Sequence, residues 1–304
     1  MSLYIGDEVM KVGFIGLGTM GFPMTKNILA ADYDTYVVSR SRPPIDQALE
    51  LGAKEVRNPK KLVEICDIVL TCLPLPENII DVYEGENGII AGATNGKIII
   101  DHSTVSPQLN QQINEQLVSK GALFMDAPVS GGPMGAKAGS LTIMCGGSEE
   151  AFNKSYEVLK VIGEYVVHVG PIGSGSVIKL INNMLVGVHT AALSEAYVMG
   201  AKAGVNPQVL YDIVKRSSGF SKSMDWSVEA IMDRQFDQRF SINLLHKDMG
   251  LAIDLAENLG VPVELVEHSE NLVRRAKENY GKNDVCAIIR PLEQQVGVEV
   301  KRWK

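Results

Sequence analysis

The stretch "GFIGLGTMG", Gly13–Gly21, decides the fold class of this 304-residue chain. Gly16, Gly18 and Gly21 stand in the spacing GxGxxG, directly after the apolar run "KVGFI" and directly before the helical pattern "FPMTKNILAA". In a strand–turn–helix unit such glycines allow a tight turn and a close approach of the backbone, so that a pyrophosphate can bind the helix N-terminus. A glycine-rich turn with no ligand is the alternative. Because the motif lies between a strand and a helix, we predict a dinucleotide-binding loop formed by Gly16, Leu17, Gly18, Thr19, Met20 and Gly21.

Short β-branched runs alternate with helical patterns through the first half of the chain. This alternation is typical of a parallel sheet flanked by helices. Two of the helices begin with an Asn or Ser N-cap followed by Pro, at "NPKKLVEIC" and "SPQLNQQINEQLVSKG". The predicted strands are "KVGFIG", "TYVVSR", "DIVLTCLP", "KIIIDHS", "ALFMDAP", "LTIMCGG" and "EYVVHVG".

The pattern changes after "VGPIGSGS". From about Val177 to Ala203 a run rich in Ala, Leu, Val and Met carries no strand signal, and five further helical patterns follow it. We therefore predict an α/β fold with an N-terminal Rossmann dinucleotide-binding domain at residues 1–172. An all-helical domain for substrate binding and oligomerisation is predicted at residues 173–304, joined through the long helix.

The end of the second predicted strand, "VVSRSR", decides between the two nicotinamide cofactors. An NAD-binding domain usually ends this strand, about twenty residues past the first glycine, with an Asp or Glu that binds the ribose 2′-hydroxyl. Ser39 stands at that position and Arg40 follows it. The missing carboxylate removes repulsion of a 2′-phosphate, and a guanidinium can bind a phosphate through two parallel hydrogen bonds. Although an exposed loop arginine is commonly just solvated, the combination predicts NADP(H) in preference to NAD(H), bound at Ser39, Arg40 and Ser41.

Further strand exits carry candidate ligand contacts, because open α/β sheets bind ligands beyond the carboxyl ends of their strands. In "CLPLPENI" and "DHSTVSP" ordinary turn and N-cap chemistry is the alternative. In "DAPVSGG" a hydroxyl and approachable backbone N–H groups suit the carboxylate or hydroxyl of a small substrate, with a tight turn between two strands as the alternative. The cofactor candidates are Leu73, Pro74, Asn78 and Thr104, and the substrate candidates are Ser130, Gly131 and Gly132.

Two lysines in the helical half have roles that spacing alone leaves open. Lys179 and Asn183 are four residues apart on the predicted long helix and share a face. Most helical lysines, however, extend to solvent. Lys247 and Asp248, in "LLHKDMGLA", have the pattern of a solvated helix surface by the same reasoning.

Composition excludes several functional classes. Hydrophobic residues make up 45% of the chain and charged residues 21%, which is usual for a globular enzyme. The net charge of −7, without clustered Lys and Arg, argues against nucleic-acid binding. The first residues show no apolar signal-peptide core, and no uninterrupted run reaches the roughly 18 apolar residues of a membrane span, so we expect a cytoplasmic protein without membrane partners. The cysteines and histidines have no metal-ligand spacing, so we expect no metal, and we expect reduced, mostly buried thiols at Cys66, Cys72, Cys145 and Cys286.

Four motifs, in their order and spacing, resemble those of the β-hydroxyacid dehydrogenase family. They are "GFIGLGTMG", "DAPVSGG", "GxGxxxKxxxN" over residues 173–183, and "KDMGLA". The resemblance extends over nearly the whole chain. It implies that Lys179 is the catalytic acid/base and that Lys247 closes over cofactor and substrate, contributing to both sites. It also implies substrate binding by Ser130, Gly131, Gly132 and Asn183, and cofactor contacts at Leu73, Pro74, Asn78 and Thr104.

The implied activity is hydride transfer between NADP(H) and a small carboxylate-bearing substrate. This is a 3-hydroxy acid or its semialdehyde, of the 3-hydroxyisobutyrate, tartronate semialdehyde or 2-(hydroxymethyl)glutarate type. Hydride transfer leaves the alcohol proton to be moved separately, and Lys179 would move it. An imine reductase of the same architecture is an alternative, although such proteins generally replace the lysine, and a catalytically silent dinucleotide-binding scaffold or redox sensor is another. The apolar long helix and the resemblance together predict a homodimer or homotetramer.

Overall fold

The structure, a computed structural model, describes residues 4–5, 8–237 and 239–303, with the backbone alone at residues 4–5 and 8–9. The chain forms two compact units, Met1–Lys179 and Leu180–Lys304. The predicted boundary between residues 172 and 173 lies just before the long helix, whereas the division between the units lies inside it. Residues 1–3, 6–7, 238 and 304, which the predicted domains include, lie outside the described residues.

The strands of the first unit include all seven that the sequence predicts. The four others are two residues long, which is too short for a recognisable pattern. In chain order the strands are β1 (Tyr4–Ile5), β2 (Glu8–Val9), β3 (Lys11–Ile15), β4 (Asp34–Val38), β5 (Lys54–Glu55), β6 (Ile68–Thr71), β7 (Ile98–Asp101), β8 (Leu123–Asp126), β9 (Val129–Ser130), β10 (Leu141–Gly147) and β11 (Gly163–Gly170).

The main sheet has the strand order β11-β10-β8-β7-β6-β3-β4-β5, with β9 paired to β10. Strand β3 is parallel to β4 on one side and to β6 on the other, so the strand order reverses beside the glycine loop, where open α/β sheets bind ligands. Strand β10 is antiparallel to β8 and β9 and parallel to β11. The predicted parallel sheet is therefore confirmed from β5 to β8 and wrong where β10 joins β8, because a run of apolar residues carries no information on strand direction.

Helices cover both faces of this sheet. Alternate residues of β7 point into different cores, Ile98 and Ile100 into one and Ile99 into the other, as the two-residue period of a strand requires. The predicted caps are confirmed, since Asn58 accepts a hydrogen bond from the N–H of Lys61 and Ser106 accepts one from the N–H of Leu109. The helices are α1 (Gly21–Ala30), α2 (Arg42–Glu50), α3 (Pro59–Ile65), α4 (Pro76–Glu84), α5 (Ile89–Gly92), α6 (Pro107–Val118), α7 (Gly132–Ala138) and α8 (Glu149–Ile162).

The long helix, α9 (Ser174–Lys202), begins three residues before its predicted start. By length and composition alone it is apolar enough to cross a membrane, a test that the core helix of a soluble protein also passes. The sequence expectation of no membrane span rests on uninterrupted apolar runs. Polar residues such as Lys179 and Asn183 interrupt the run in α9 without removing its apolar average.

The second unit is helical in the residues described, apart from an isolated bridge between Ser241 and Asp284. The five helical patterns predicted after α9 are confirmed, and the last is divided into a 3₁₀ turn (Val285–Ile288) and a final helix. Two apolar clusters hold the helices together, one centred on Met249 and Val273 and the other on Val228 and Ile289. The helices are α10 (Pro207–Val214), α11 (Lys222–Met232), α12 (Ile242–Leu259), α13 (Glu264–Tyr280) and α14 (Ile289–Val296).

Cys66, Cys145 and Cys286 are buried, and Cys72 is half-buried. Burial raises the pKa of the Cys66 and Cys145 thiols to about 12, so both stay protonated at neutral pH. The expectation of mostly buried thiols is confirmed.

Candidate active site

The three glycines of the loop between β3 and α1 are needed for different reasons. Gly16 has a φ of +97°, and a side chain there would collide with the carbonyl of Cys72. A side chain at Gly21 would collide with the carbonyl of Gly16 and the ring of Phe14, so this glycine lets α1 begin close against β3. Gly18 is exposed, and a Cβ there would meet no atom within 4 Å. Because protein contacts do not require a glycine at this second position of the motif, the open space fits the close approach of a pyrophosphate to the backbone.

A cavity of about 750 Å³ opens at the carboxyl ends of β3, β4 and β6, within the first unit. Ten of the fourteen predicted cofactor positions line it, namely residues 16–19, 39–41, 73–74 and Asn78. Gly21 lies in the contact between α1 and β3, Met20 packs against the core, and Thr104 lies half-buried beyond β7. Lys247 belongs to the second unit. The structure therefore brings together the loop and strand-exit positions on which the cofactor prediction depends.

The exit of β4 carries two arginines, one that lines the cavity and one that is bound by carboxylates. Arg40 is exposed and lines the cavity beside Ser39. Arg42 donates from Nε to Asp46 (2.7 Å) and from Nη1 to Glu55 (2.8 Å). The charge of Arg42 is therefore shared with two acids, whereas the charge of Arg40 is presented to the cavity.

A buried carboxylate holds the exits of β6 and β7 together. Oδ1 of Asp101 accepts hydrogen bonds from the hydroxyls of Thr71 and Ser103, both at 2.6 Å. Oγ of Ser103 in turn accepts the backbone N–H of Leu73 at 2.8 Å. Because Asp101 is fully buried, these charge-assisted bonds fix the backbone of Leu73 in the cavity wall.

Sequence reasoning missed several residues that line the cavity. Cys72 directly precedes Leu73 at the exit of β6, so the strand-exit rule could have found it. Arg57 and Asn58 follow the two-residue strand β5, which has no pattern of its own. The remaining polar ones, Asp81 and Asn87, lie on or after α4.

The predicted substrate residues of "DAPVSGG" lie where β9 meets α7. Ser130 ends β9, Gly131 has a φ of +133° and Gly132 a φ of +62°. Both conformations favour glycine, and both glycines are exposed, so a ligand can approach their backbone. The alternative of a tight turn between two strands is wrong, because these glycines join a strand to a helix.

Asp126, from the same stretch, fastens the start of α9. Its Oδ1 accepts the N–H of Gly173 and its Oδ2 accepts the N–H of Ser176, both at 2.7 Å. A side chain at Gly175 would collide with a backbone carbonyl of β10, so the first turn of α9 lies in direct contact with the sheet. Burial raises the pKa of Asp126 to about 6, although the two N–H donors oppose this shift. Lys179 follows Gly175 by one helical turn and is half-buried.

Asp248 joins two of the predicted site residues in the second unit. Nδ2 of Asn183 donates to Oδ2 of Asp248 at 2.6 Å, and Nζ of Lys247 lies 2.9 Å from Oδ1 of the same carboxylate. Asn183 and Asp248 are 3% and 2% exposed. The expectation of a solvated surface at Asp248 is therefore wrong, because the carboxylate is buried between an amide and an ammonium group.

No group of three or more His, Cys, Asp or Glu in the described ranges is arranged to hold a metal ion.

Two known protein families match consecutive parts of the chain. The family described as the NAD binding domain of 6-phosphogluconate dehydrogenase matches residues 11–170. The family described as NAD-binding of NADP-dependent 3-hydroxyisobutyrate dehydrogenase matches residues 173–292.

Individual relatives match over almost the full length. The chain is 36% identical over 296 residues to 2-(hydroxymethyl)glutarate dehydrogenase of Eubacterium barkeri, covering 97% of this chain and 98% of the relative. It is 34% identical over 292 residues to mitochondrial 3-hydroxyisobutyrate dehydrogenase of Bos taurus, covering 93% of this chain and 87% of the relative. The solved structure of a 3-hydroxyisobutyrate dehydrogenase from Salmonella typhimurium superposes with a TM-score of 0.85 at 29% identity, over 93% of this chain and 99% of that one.

Proposed function

Because the chain belongs to the β-hydroxyacid dehydrogenase family and is an NAD(P)-dependent dehydrogenase, we propose that it uses NADP(H) and that Lys179 is its acid/base. Its substrate in this proposal is a small 3-hydroxy acid or the corresponding semialdehyde. The observation that carries the proposal is the fastening of α9 by Asp126, because it fixes the backbone one turn before Lys179.

The preference for NADP(H) is supported by the exit of β4. Ser39 replaces the carboxylate that would repel a 2′-phosphate, and Arg40 presents a guanidinium to the same cavity. The family matching residues 173–292 is described by an NADP-dependent enzyme. When bound at the glycine loop, the nicotinamide cofactor supplies or accepts the hydride.

Lys179 moves the proton that hydride transfer leaves behind. In reduction its ammonium group donates a proton from Nζ to the developing alkoxide, and in oxidation the neutral amine accepts one from the hydroxyl. Ser130 and the backbone N–H groups of Gly131 and Gly132 bind the substrate carboxylate or hydroxyl. Asp248 accepts one N–H of the Asn183 amide, which orients the remaining N–H for a substrate oxygen, and holds Lys247 in place.

The substrate class follows from the relatives. The 2-(hydroxymethyl)glutarate and 3-hydroxyisobutyrate dehydrogenases are named for acids whose hydroxyl is on the carbon β to a carboxylate. A carboxylate-binding element and a proton donor for the hydroxyl are the two features such a substrate needs. We include tartronate semialdehyde, which has the same spacing of functional groups.

We also propose that the protein is a homodimer or homotetramer. Ile181, Leu185 and Met199 lie on one face of α9 and are exposed, Met199 by 72%. An exposed apolar stripe on a helix of 29 residues is typical of a surface that a second subunit covers. Nucleic acids and membranes are not among the proposed partners.

A substrate panel tests the proposed reaction. Turnover of 3-hydroxyisobutyrate, 2-(hydroxymethyl)glutarate and tartronate semialdehyde is followed by nicotinamide absorbance with each cofactor, alongside a cyclic imine. We expect turnover of at least one hydroxy acid or semialdehyde. Turnover of the imine alone would favour an imine reductase, and cofactor binding without any turnover would favour a silent scaffold.

A further inference from the structure

The pairing of β4 and β5 brings Arg57 beside Ser39. Val37 of β4 is level with Glu55 of β5 in the parallel register, and the N–H of Val56 donates to the carbonyl of Val37 at 3.0 Å. Ser39 and Arg57 each lie two residues beyond the Val37–Glu55 pair. Neighbouring strands are about 4.8 Å apart, and residues at the same level of a parallel pair point to the same face. The edge strand thus places a second arginine in the lining of the same cavity as Ser39, where an NAD enzyme has its acid.

The charges around this position leave Arg57 available to a ligand. Arg57 is exposed and lines the same cavity as Arg40, and across the described ranges neither guanidinium makes an ion pair. Glu55, two residues before Arg57, has its carboxylate bound by Arg42. Among the described residues that line the cavity, Asp81 carries a negative charge, and Arg40 and Arg57 carry positive charges. The lining therefore has an excess of positive charge.

We propose that Arg57 is a second specificity-determining residue that binds the 2′-phosphate of the cofactor together with Arg40. The inference rests on the proposed NADP(H) preference and deepens it. A phosphate monoester carries about −1.5 to −2 charges at neutral pH, so a single guanidinium leaves part of its charge unbalanced. Two guanidinium groups, one from the exit of β4 and one from the exit of β5, match both the charge and the three acceptor oxygens. Arg42 acts indirectly, by neutralising the Glu55 carboxylate that would otherwise repel the phosphate.

The experiment separates the 2′-phosphate from the rest of the cofactor. Adenosine 2′,5′-bisphosphate and adenosine 5′-monophosphate serve as probes, and their dissociation constants are measured by calorimetry for wild type, Arg57→Ala and Arg40→Ala. Arg216→Ala is the matched control, because Arg216 is an exposed arginine of the second unit. Thermal unfolding confirms that each variant is folded.

We expect Arg57→Ala to weaken the bisphosphate about tenfold, or about 1.4 kcal/mol, and the monophosphate by less than about twofold. Arg216→Ala should leave both constants unchanged. The bisphosphate effect should shrink at high salt, since the contact is exposed.

The outcomes distinguish this inference from the proposed function. If wild type binds both probes equally, the NADP(H) preference fails and the role of Arg57 fails with it. If wild type prefers the bisphosphate and Arg57→Ala keeps the same ratio of the two dissociation constants, the NADP(H) preference stands and the inference about Arg57 is overturned. Equal weakening of both probes would also overturn it, because Arg57 would then act on the adenosine or on the fold.

Discussion

Replacing His102 with asparagine should reduce the acid sensitivity of the fold. His102 follows β7 and is 2% exposed. Its Nδ1 lies 2.7 Å from the carbonyl oxygen of Ala127, so this nitrogen carries a proton and donates it. Nε2 is buried, and within the part of the chain that the structure describes it has no hydrogen-bond partner. Burial lowers the pKa of His102 to about 4, because a second proton would create a charge without an acceptor.

The sign and size of the effect follow from the two pKa values. In the unfolded chain the histidine titrates near its ordinary pKa of 6.5, so between pH 6.5 and about 4 the unfolded chain binds a proton that the folded chain does not. The stability contributed by neutral His102 is fully present above pH 6.5 and is lost as the pH falls towards 4. Between pH 7 and pH 5 the loss amounts to about 2 kcal/mol of the free energy of unfolding.

The assay is urea unfolding of wild type and His102→Asn at pH 7 and pH 5. In the variant, Nδ2 of asparagine takes the place of Nδ1 and still donates to Ala127, but it does not titrate. We expect wild type to lose about 2 kcal/mol more than the variant between the two pH values. Burial raises the pKa of Asp126 to about 6, so protonation of Asp126 stabilises the folded state as the pH falls below 6 and acts in the opposite direction. Both proteins contain Asp126, so its effect cancels in the comparison.

A matched control is His268→Asn, since His268 also places Nδ1 against a backbone carbonyl but is exposed to water. Because His268 is exposed, this variant shows what the exchange of a histidine for an asparagine does without removing a buried group. Losses in wild type and His102→Asn that agree within about 0.5 kcal/mol would refute the reasoning.

Three further predictions concern the proposed acid/base, the cofactor preference and the oligomeric state. Lys179→Ala should lower kcat by a factor of about 10²–10⁴ with little change in cofactor affinity, and Lys179→Arg should be nearly as damaging, because a guanidinium does not release its proton at working pH. Retained turnover in either folded variant, measured with a saturating cofactor, would move the proton donor elsewhere. NADPH should bind wild type at least about tenfold tighter than NADH, and Ser39→Asp with Arg40→Leu should reverse the order in a fluorescence titration, whereas equal affinities in wild type would contradict it. Light scattering at micromolar concentration should give the mass of a dimer or tetramer, and a mass near 33.0 kDa would exclude both.

Local patterns predict most of the fold because its elements are defined by neighbouring residues. The β-branched runs, the Asn58 and Ser106 caps and the run rich in Ala, Leu, Val and Met in α9 are each recognisable from residues a few positions apart. The reversal of β10 depends instead on which strand it joins, which no local run specifies. The two-residue strand β5 exists only through its pairing with β4.

The same distinction separates the site residues that sequence predicts from those it misses. Ser39 and Leu73 are found because each follows its own strand. Arg57, Asp126 and Asp248 matter through partners that are distant in the chain, or through a register that the structure alone defines. Asp126 lies within a recognised motif, yet its contact with α9 joins residues 47 and 50 positions apart.

Two glycine pairs with the same spacing show why motif and role have to be separated. Gly16 and Gly173 both have a positive φ, +97° and +90°, and each stands two residues before another glycine. Gly18 lies in the loop before α1, and Gly175 lies in the first turn of α9. At Gly18 a side chain would enter open space in front of the cavity, whereas at Gly175 it would enter the backbone of β10. The absence of a side chain at Gly18 leaves open space at the cavity, and its absence at Gly175 leaves room for the backbone of β10. Sequence spacing is identical in the two cases, so the atoms that a Cβ would meet decide which glycine lines the cavity and which one lets α9 begin against β10.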